Sequence, residues 1–147
     1  LPATPPAPIT PPAALVEAVL AQREEDAARQ HRLCKEDGDL EGAKIARRSE
    51  RAYRDAAALL LSGEWVLTHR GDLLVRSGSG RSIWHRVGRK PAASDSLYSP
   101  ILCTCEWGTK GDGLGPCRHA ALFEAVEAAI ELAVVEAEER AAYGVAA

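Results

Sequence analysis

The chain has 147 residues, of which 46% are hydrophobic and 5% aromatic, and its formal net charge at pH 7 is −3. This length fits one domain, or one domain with an appendage, and it is sufficient to bury an aliphatic core. The small net charge argues neither for a strongly basic nucleic-acid binder nor for an acidic tail, and no run approaches the roughly 18 apolar residues of a membrane span.

The first part of the chain predicts a helix after a proline-rich start. Residues 1–9, LPATPPAPI, are expected to form an extended, mobile lead-in. Thr10 can cap a helix and Pro11 suits a first helical turn, so a helix is predicted from there to about residue 36. Its apolar stripe repeats at helical spacing and comprises Val16, Leu20, Ala27, His31 and Cys34.

A second helix is predicted from about residue 40 to 62, with Asp39 as its N-cap. Its expected buried stripe consists of Leu40, Ala43, Ala46, Tyr53, Ala56, Ala57 and Leu60. The link between the two helices, at Asp37-Gly38, is short, which favours an antiparallel helical hairpin.

After Gly63 the helical period gives way to short β-type runs. WVLTHR (65–70), DLLVRS (72–77) and RSIWHRV (81–87) predict three strands with turns at 71–72 and 78–80. Residues 88–100 predict a surface loop and ILC (101–103) a fourth strand. Pro116 predicts the opening of a last helix that runs to about Tyr143 and ends at Gly144. At about 1.5 Å per residue this helix is about 40 Å long, so we expect part of it to pack on the first two helices.

Three of the four cysteines stand in one short segment, CTCEWGTKGDGLGPCRH (103–119). On a strand, residues two positions apart share a face, so Cys103 and Cys105 can face one ion. Cys117 and His119 flank the predicted start of the last helix. The gap between the two pairs contains four glycines, so it can fold back and bring them together. Three thiolates and one imidazole complete a tetrahedron around Zn²⁺ and leave no open position, which is typical of a structural site.

Other interpretations of the cluster are a disulfide in an oxidising compartment, a set of small buried hydrophobes, and an iron–sulfur cluster. We favour a single structural zinc ion, because thiolate-rich ligand sets select zinc over Mg²⁺ or Ca²⁺. Cys34 stands alone on a helical stripe and is predicted to be a core residue. Since the cysteines do not resemble a secreted disulfide scaffold, we expect a reducing, cytoplasmic setting. The sequence has no methionine, which predicts a fragment or a processed chain.

The pattern Cys-x-Cys, a variable gap and Cys-x-His resembles the SWIM zinc finger family. LLVRSGSGRSIWHRV (73–87) looks like the hairpin that precedes the ligands in that family, and GPCRHAAL (115–122) looks like its helix opening. The match covers about residues 65–130, and the link from Val87 to Cys103 is longer than the family usually has. The resemblance implies a ββα zinc module of the kind found in proteins that handle DNA, one that binds DNA or protein and is not itself catalytic.

The charge distribution supports DNA binding in part. Residues 64–119 carry eight basic and five acidic side chains, whereas residues 120–147 carry one basic and six acidic. The candidate nucleic-acid-binding residues are Arg76, Arg81, Arg86, Arg89, Lys90, Lys110 and Arg118, together with Trp84 and Trp107, which can stack on bases. The alternative is an ordinary solvated surface, with both tryptophans in the core or covering the zinc.

A protein-interaction module is the rival function class. The last helix is apolar over a wide arc and the first two carry a near-heptad stripe, so these helices can bury a dimer seam or a partner helix, or simply pack on each other. An enzyme is not expected, because SGSG (77–80) lacks the lysine and helix of a phosphate loop and His69 and His85 have no nucleophile or paired carboxylate with them. No membrane or small-molecule partner is expected.

Together these patterns predict an α+β chain in three parts. Residues 1–9 are the lead-in, residues 10–62 the helical hairpin, and residues 63–147 a small antiparallel sheet with a structural zinc site and a long closing helix. The predicted function is a non-catalytic zinc-binding module that contacts nucleic acid, with DNA favoured. The alternative is a zinc-stabilised protein-interaction or dimerisation module.

Overall fold

The computed structural model describes residues 10–76, 84–89, 101–105 and 115–144. These residues form an α+β fold, as the sequence predicts, with helices α1 (Ala13–Glu36), α2 (Leu40–Ser62) and α3 (Arg118–Tyr143). The strands are β1 (Trp65–Leu67), β2 (Leu73–Arg76), β3 (Trp84–Arg89) and β4 (Ile101–Cys103). They pair antiparallel in the order β1-β2-β3-β4. Among the described residues, no helix has the length and apolar content that crossing a bilayer requires.

Helix α1 begins at Ala13, so the prediction that Thr10 caps it and Pro11 opens it is wrong. Pro12 is the N-cap, and its carbonyl oxygen accepts hydrogen bonds from the backbone N–H groups of Leu15 at 3.0 Å and Val16 at 3.2 Å. The residue before a proline is disfavoured in helical backbone geometry. Pro11 precedes Pro12 and is therefore kept out of the helix, and Pro12 itself has extended backbone (φ −58°, ψ 132°) as the N-cap.

Helix α2 begins and ends where its sequence predicts. Asp39 is the N-cap, and its Oδ1 accepts a hydrogen bond from the backbone N–H of Gly42 at 2.9 Å. Gly63 ends the helix with a φ of 69°, a left-handed geometry that favours glycine. The predicted stripe is buried or half-buried from Ala43 onward. Leu40 is an exception with 70% of its surface exposed, because it is the first residue of the helix and lies at the tip of the hairpin.

The sheet continues two residues further than predicted, because β3 includes Gly88 and Arg89, which the sequence placed in a loop. Gly88 pairs with Leu102 and Arg89 with Ile101 on β4. A glycine at position 88 suggests a loop, but here the missing side chain leaves room for a neighbouring residue. A Cβ at this position would collide with the carboxylate of Asp72. The predicted turn at 71–72 is confirmed, whereas the one at 78–80 lies outside the described residues.

The core joins all three helices to the inner face of the sheet. Its largest fully buried side chains are Phe123, Leu20, Leu73, Leu122, Val16, Val75, Val87 and Val126. The hydroxyl of Tyr53 on α2 donates to Glu124 on α3 at 3.1 Å, and Arg23 on α1 forms an ion pair with the same carboxylate at 3.2 Å. Burial, and then the Glu124 carboxylate, raise the pKa of Tyr53 above its ordinary range. The first half of α3 therefore packs on the first two helices, as its length predicts.

Candidate metal centre

The four predicted ligands meet at the junction of β4 and α3. Cys103 is the last residue of β4, Cys105 follows two residues later, Cys117 is the N-cap of α3, and His119 is the second residue of that helix. All four side chains are buried, and one candidate ligand atom from each lies within 4.8 Å of all the others. No second group of this kind occurs in the described ranges. The residues are therefore placed to bind a metal ion.

Strand pairing positions the first two candidate ligands, Cys103 and Cys105. Cys103 pairs with Val87 of β3, and both face the core, whereas Leu102, the residue before Cys103, is 48% exposed. The pairing continues past the strand, because the backbone N–H of Thr104 donates to the carbonyl of Arg86 at 3.1 Å. The strand-like alternation thus extends to Cys105, which is buried on the same side as Cys103.

The helix start positions the other two candidate ligands, Cys117 and His119. Cys117 has extended backbone geometry, and its sulfur accepts a hydrogen bond from the backbone N–H of Ala120 at 3.3 Å. Just before it, Gly115 has a φ of 98°, and a Cβ there would lie 2.9 Å from the Ser49 hydroxyl oxygen on α2. The chain therefore enters the site in close contact with the N-terminal hairpin, and this contact requires glycine.

One distance between candidate ligand atoms matches that expected around a tetrahedral ion. A zinc site with Zn–S near ~2.3 Å and Zn–N near ~2.05 Å places sulfur and nitrogen about 3.6 Å apart and two sulfurs about 3.8 Å apart. The Cys103 sulfur and the Nδ1 of His119 are 3.6 Å apart. The backbone N–H of Cys105 also donates to the Cys103 sulfur at 3.5 Å. N–H groups directed at sulfur stabilise a thiolate, which is the form that binds metal.

The electrostatics of the site disfavour three thiolates in the absence of a cation. Contacts with the Cys105 and Cys117 thiols, followed by burial, raise the pKa of Cys103 well above its ordinary value. For Cys117 the hydrogen bond with Cys103 lowers the pKa, but the contact with Cys105 and burial outweigh it and the net shift is upward. Three thiolates this close repel one another, and a divalent cation between them removes that repulsion.

A second histidine lies beside the ligands. The ring of His85 on β3 packs against the ring of His119, with centroids 5.0 Å apart and planes tilted by 36°. The sequence predicts His85 on a strand but does not predict that it lies beside the Cys₃His cluster. Its position two residues before the inward-facing Val87 was the available signal, because alternate strand residues share a face. His119 has its Nδ1 toward the cluster, and its Nε2 lies 3.5 Å from the Nε of Arg118.

The predicted nucleic-acid residues on β2 and β3 lie close to carboxylates. Arg76 is 3.8 Å from Glu64, and its guanidinium lies 5.9 Å from the ring centre of Trp84. The Nε of Arg86 donates to Asp72 at 2.8 Å. These ion pairs lower the positive potential that the sequence suggests. The tryptophan is 43% exposed and is not part of the buried core.

The remaining predicted residues divide between paired, exposed and undescribed positions. The Nε of Arg89 donates to Glu127 of α3 at 2.9 Å. Arg118 is exposed at the start of that helix. The sequence could not reveal the Glu127 pairing, because the two residues are 38 positions apart. The predicted residues outside the described ranges are Arg81, Lys90, Trp107 and Lys110.

Comparisons with protein-family models, with curated proteins and with solved structures found no match. Any function of the chain therefore has to be inferred from the chemistry of its own residues. That chemistry consists of the Cys₃His cluster and the surfaces of the elements around it.

Proposed function

We propose that the chain is a structural zinc module of the SWIM type. The observation that carries the proposal is the set of four buried ligand atoms, three sulfurs and one imidazole nitrogen, within 4.8 Å of one another. Thiolate-rich sets of this composition favour zinc over hard cations. Four protein ligands leave no coordination position for water or substrate, so the proposed role of the ion is structural and not catalytic.

The ion would join two elements, strand β4 and helix α3, that have few other links to each other. Strand β4 has three residues and lies at the edge of the sheet, paired only with β3 among the described strands. Cys103 and Cys105 at its end, and Cys117 and His119 at the start of α3, would be linked through the metal. Because the unfolded chain has no preformed site, the free energy of zinc binding adds to the stability of this junction.

For the partner we propose DNA, bound by the outer face of β2 and β3 and by the start of α3. The support is the group of arginines around Trp84, together with the exposed Arg118 beside backbone N–H groups of a helix N-terminus. The carboxylates at Glu64 and Asp72 oppose binding. However, an exposed ion pair such as Arg76–Glu64 contributes only about 0–1 kcal/mol, so phosphate can replace that carboxylate at small cost. Replacing Asp72 costs more, because its side chain is only 21% exposed and accepts two hydrogen bonds from Arg86.

Two measurements test these proposals separately. Elemental analysis of the reduced protein should find one zinc per chain, and the melting temperature should fall markedly after chelation. An unchanged melt after complete metal removal would contradict the structural role.

DNA binding should weaken steeply with salt, and Arg86→Ala should reduce the slope of log K against log salt by about 0.9 for each phosphate that the variant no longer neutralises. Arg29→Ala provides a matched control, because Arg29 is an exposed arginine on α1 paired with Asp26 at 3.3 Å. Equal slopes for both variants, or no binding at low salt with zinc present, would refute the DNA proposal.

Protein interaction is the second candidate, and a specific observation favours it. The part of α3 after Ile130 has little cover from the described residues, and large apolar side chains are exposed on it. They are Leu132, Val134, Val135 and Tyr143.

A further inference from the structure

An apolar groove of about 570 Å³ lies between α1 and α3. Each helix contributes one stripe of residues at helical spacing. The lining residues are Leu15, Ala18, Val19, Gln22 and Arg23 from α1, and Ala128, Glu131, Leu132 and Val135 from α3. In sequence these stripes are i, i+3, i+4, i+7 patterns, so the groove runs along both helix axes. This shape suits a third helix laid between the other two.

The described residues that line the groove come from α1 and α3 alone, and the two helices overlap along it. Arg23 of α1 is paired with Glu124 of α3, and Leu15 and Val135 line the same groove further along, so the helices run antiparallel. Helix α1 begins at Ala13, whereas α3 continues to Tyr143. All the described residues of α3 from position 134 onward are exposed. Leu132 and Val135 are 46% and 48% exposed, which leaves apolar surface along one side of the groove.

The charges on this half of α3 are mostly negative. Residues 131–143 contain four glutamates and one arginine, which gives −4 + 1 = −3. Glu131 lies in the lining, and the other glutamates of this half are Glu136, Glu138 and Glu139. Among the described lining residues Arg23 is the one cation, and it is engaged by Glu124 at 3.2 Å. A partner helix in the groove would therefore contact apolar side chains along its length and glutamates near one end.

We propose that the groove between α1 and α3 binds an amphipathic helix of a partner protein, with apolar anchors at i, i+3, i+4 and i+7 and lysine or arginine flanking them. The proposal depends on the second candidate function and specifies the chemistry of its partner. A second copy of this chain suits the groove less well. A two-fold pairing of this face would place the glutamates of one α3 beside those of the other.

The test is a selection from a displayed library of 18-residue helical peptides with fixed apolar anchors and randomised flanking positions. The bait is the zinc-loaded full chain, and the matched control bait is Leu132→Asp/Val135→Asp. Both substituted residues are about half exposed, so the control is expected to keep its zinc content and melting temperature. We expect peptides enriched in lysine and arginine at the flanks, with Kd at least about tenfold weaker for the control bait.

Charge reversal provides a second variant that leaves the apolar floor intact. Glu131→Lys/Glu138→Lys should remove the enrichment of basic flanks. The proposal is overturned if wild type and control select alike, or if flanking charge makes no difference. It is also overturned if sedimentation shows a dimer that the control substitutions dissociate, because a second copy would then cover the groove. Zinc content and DNA binding measured on the same variants show separately whether the proposed zinc and DNA functions hold.

Discussion

Replacing Cys105 by alanine tests the metal centre at a single atom. The side chain is buried beside β4, and its sulfur is one of the four candidate ligands. The substitution removes that ligand and leaves the strand pairing of Cys103 with Val87 in place. The backbone N–H of residue 105, which donates to the Cys103 sulfur, also remains. A weaker metal affinity can therefore be assigned to the missing sulfur.

The size of the effect follows from the ligand count. Structural zinc binds with about 10–16 kcal/mol of apparent free energy at pH 7, so an equal share for each of four ligands is about 2.5–4 kcal/mol. Removing one share corresponds to a Kd about 70 to 900 times larger. Competition with a chromophoric chelator at fixed pH measures the Kd directly. The Co²⁺ form adds a spectroscopic check, because charge-transfer absorption should fall by about one third when three thiolates become two.

Cys34→Ala is the matched control. Cys34 is the one cysteine of the chain outside the cluster, and it is buried on α1, where the amide of Gln30 donates to its sulfur at 3.6 Å. Its replacement should change zinc affinity by less than about threefold, since no ligand is removed. If Cys105→Ala binds zinc as tightly as the wild type, or if Cys34→Ala weakens binding equally, the assignment of the site is wrong.

Three further substitutions probe the surroundings of the site and the hairpin. His85→Ala should weaken zinc binding about tenfold, because it removes the ring that packs against His119 and orients it. His85→Phe should restore most of the affinity. Equal Kd values for the wild type and both variants would contradict this role. Gly115→Ala should lower unfolding free energy in urea by more than Gly38→Ala. Both positions have positive φ and share a backbone penalty of about 1–2 kcal/mol, but only the former places a Cβ 2.9 Å from Ser49, so equal decreases would argue against that close approach. Asp39→Ala should cost about 1 kcal/mol in the same assay because the N-cap is removed, and an unchanged urea midpoint would show that the cap contributes nothing.

The local elements could be predicted because their signals are short-range. Asp39 caps α2, Gly63 ends it, and Gly144 ends α3 with a φ of 64°. Each of these depends on the chemistry of a few consecutive residues. Where two local rules competed, the prediction was wrong. Proline is favoured in a first turn, but Pro11 precedes another proline, which disfavours helical geometry at Pro11.

The surface could not be predicted in the same way. Arg86 and Arg89 read as free cations, yet they meet Asp72 and Glu127, which lie 14 and 38 positions away. Gly88 reads as a loop residue, yet it pairs with Leu102 as part of β3, and Asp72 occupies the space where its side chain would be. Whether a charge is paired or a glycine is extended depends on neighbours that chain order does not reveal.

The sequence by itself determined the four candidate ligands and the elements that carry them, because strand alternation and the start of a helix are properties of a few adjacent residues. Only the tertiary structure decided which groups surround them. The pairing of β3 with β4, and the packing of α3 across the sheet and both helices, bring His85 to the ligand histidine and Ser49 to Gly115. The same packing forms the groove between α1 and α3, because the two antiparallel helices bring their stripes at 15–23 and 128–135 side by side.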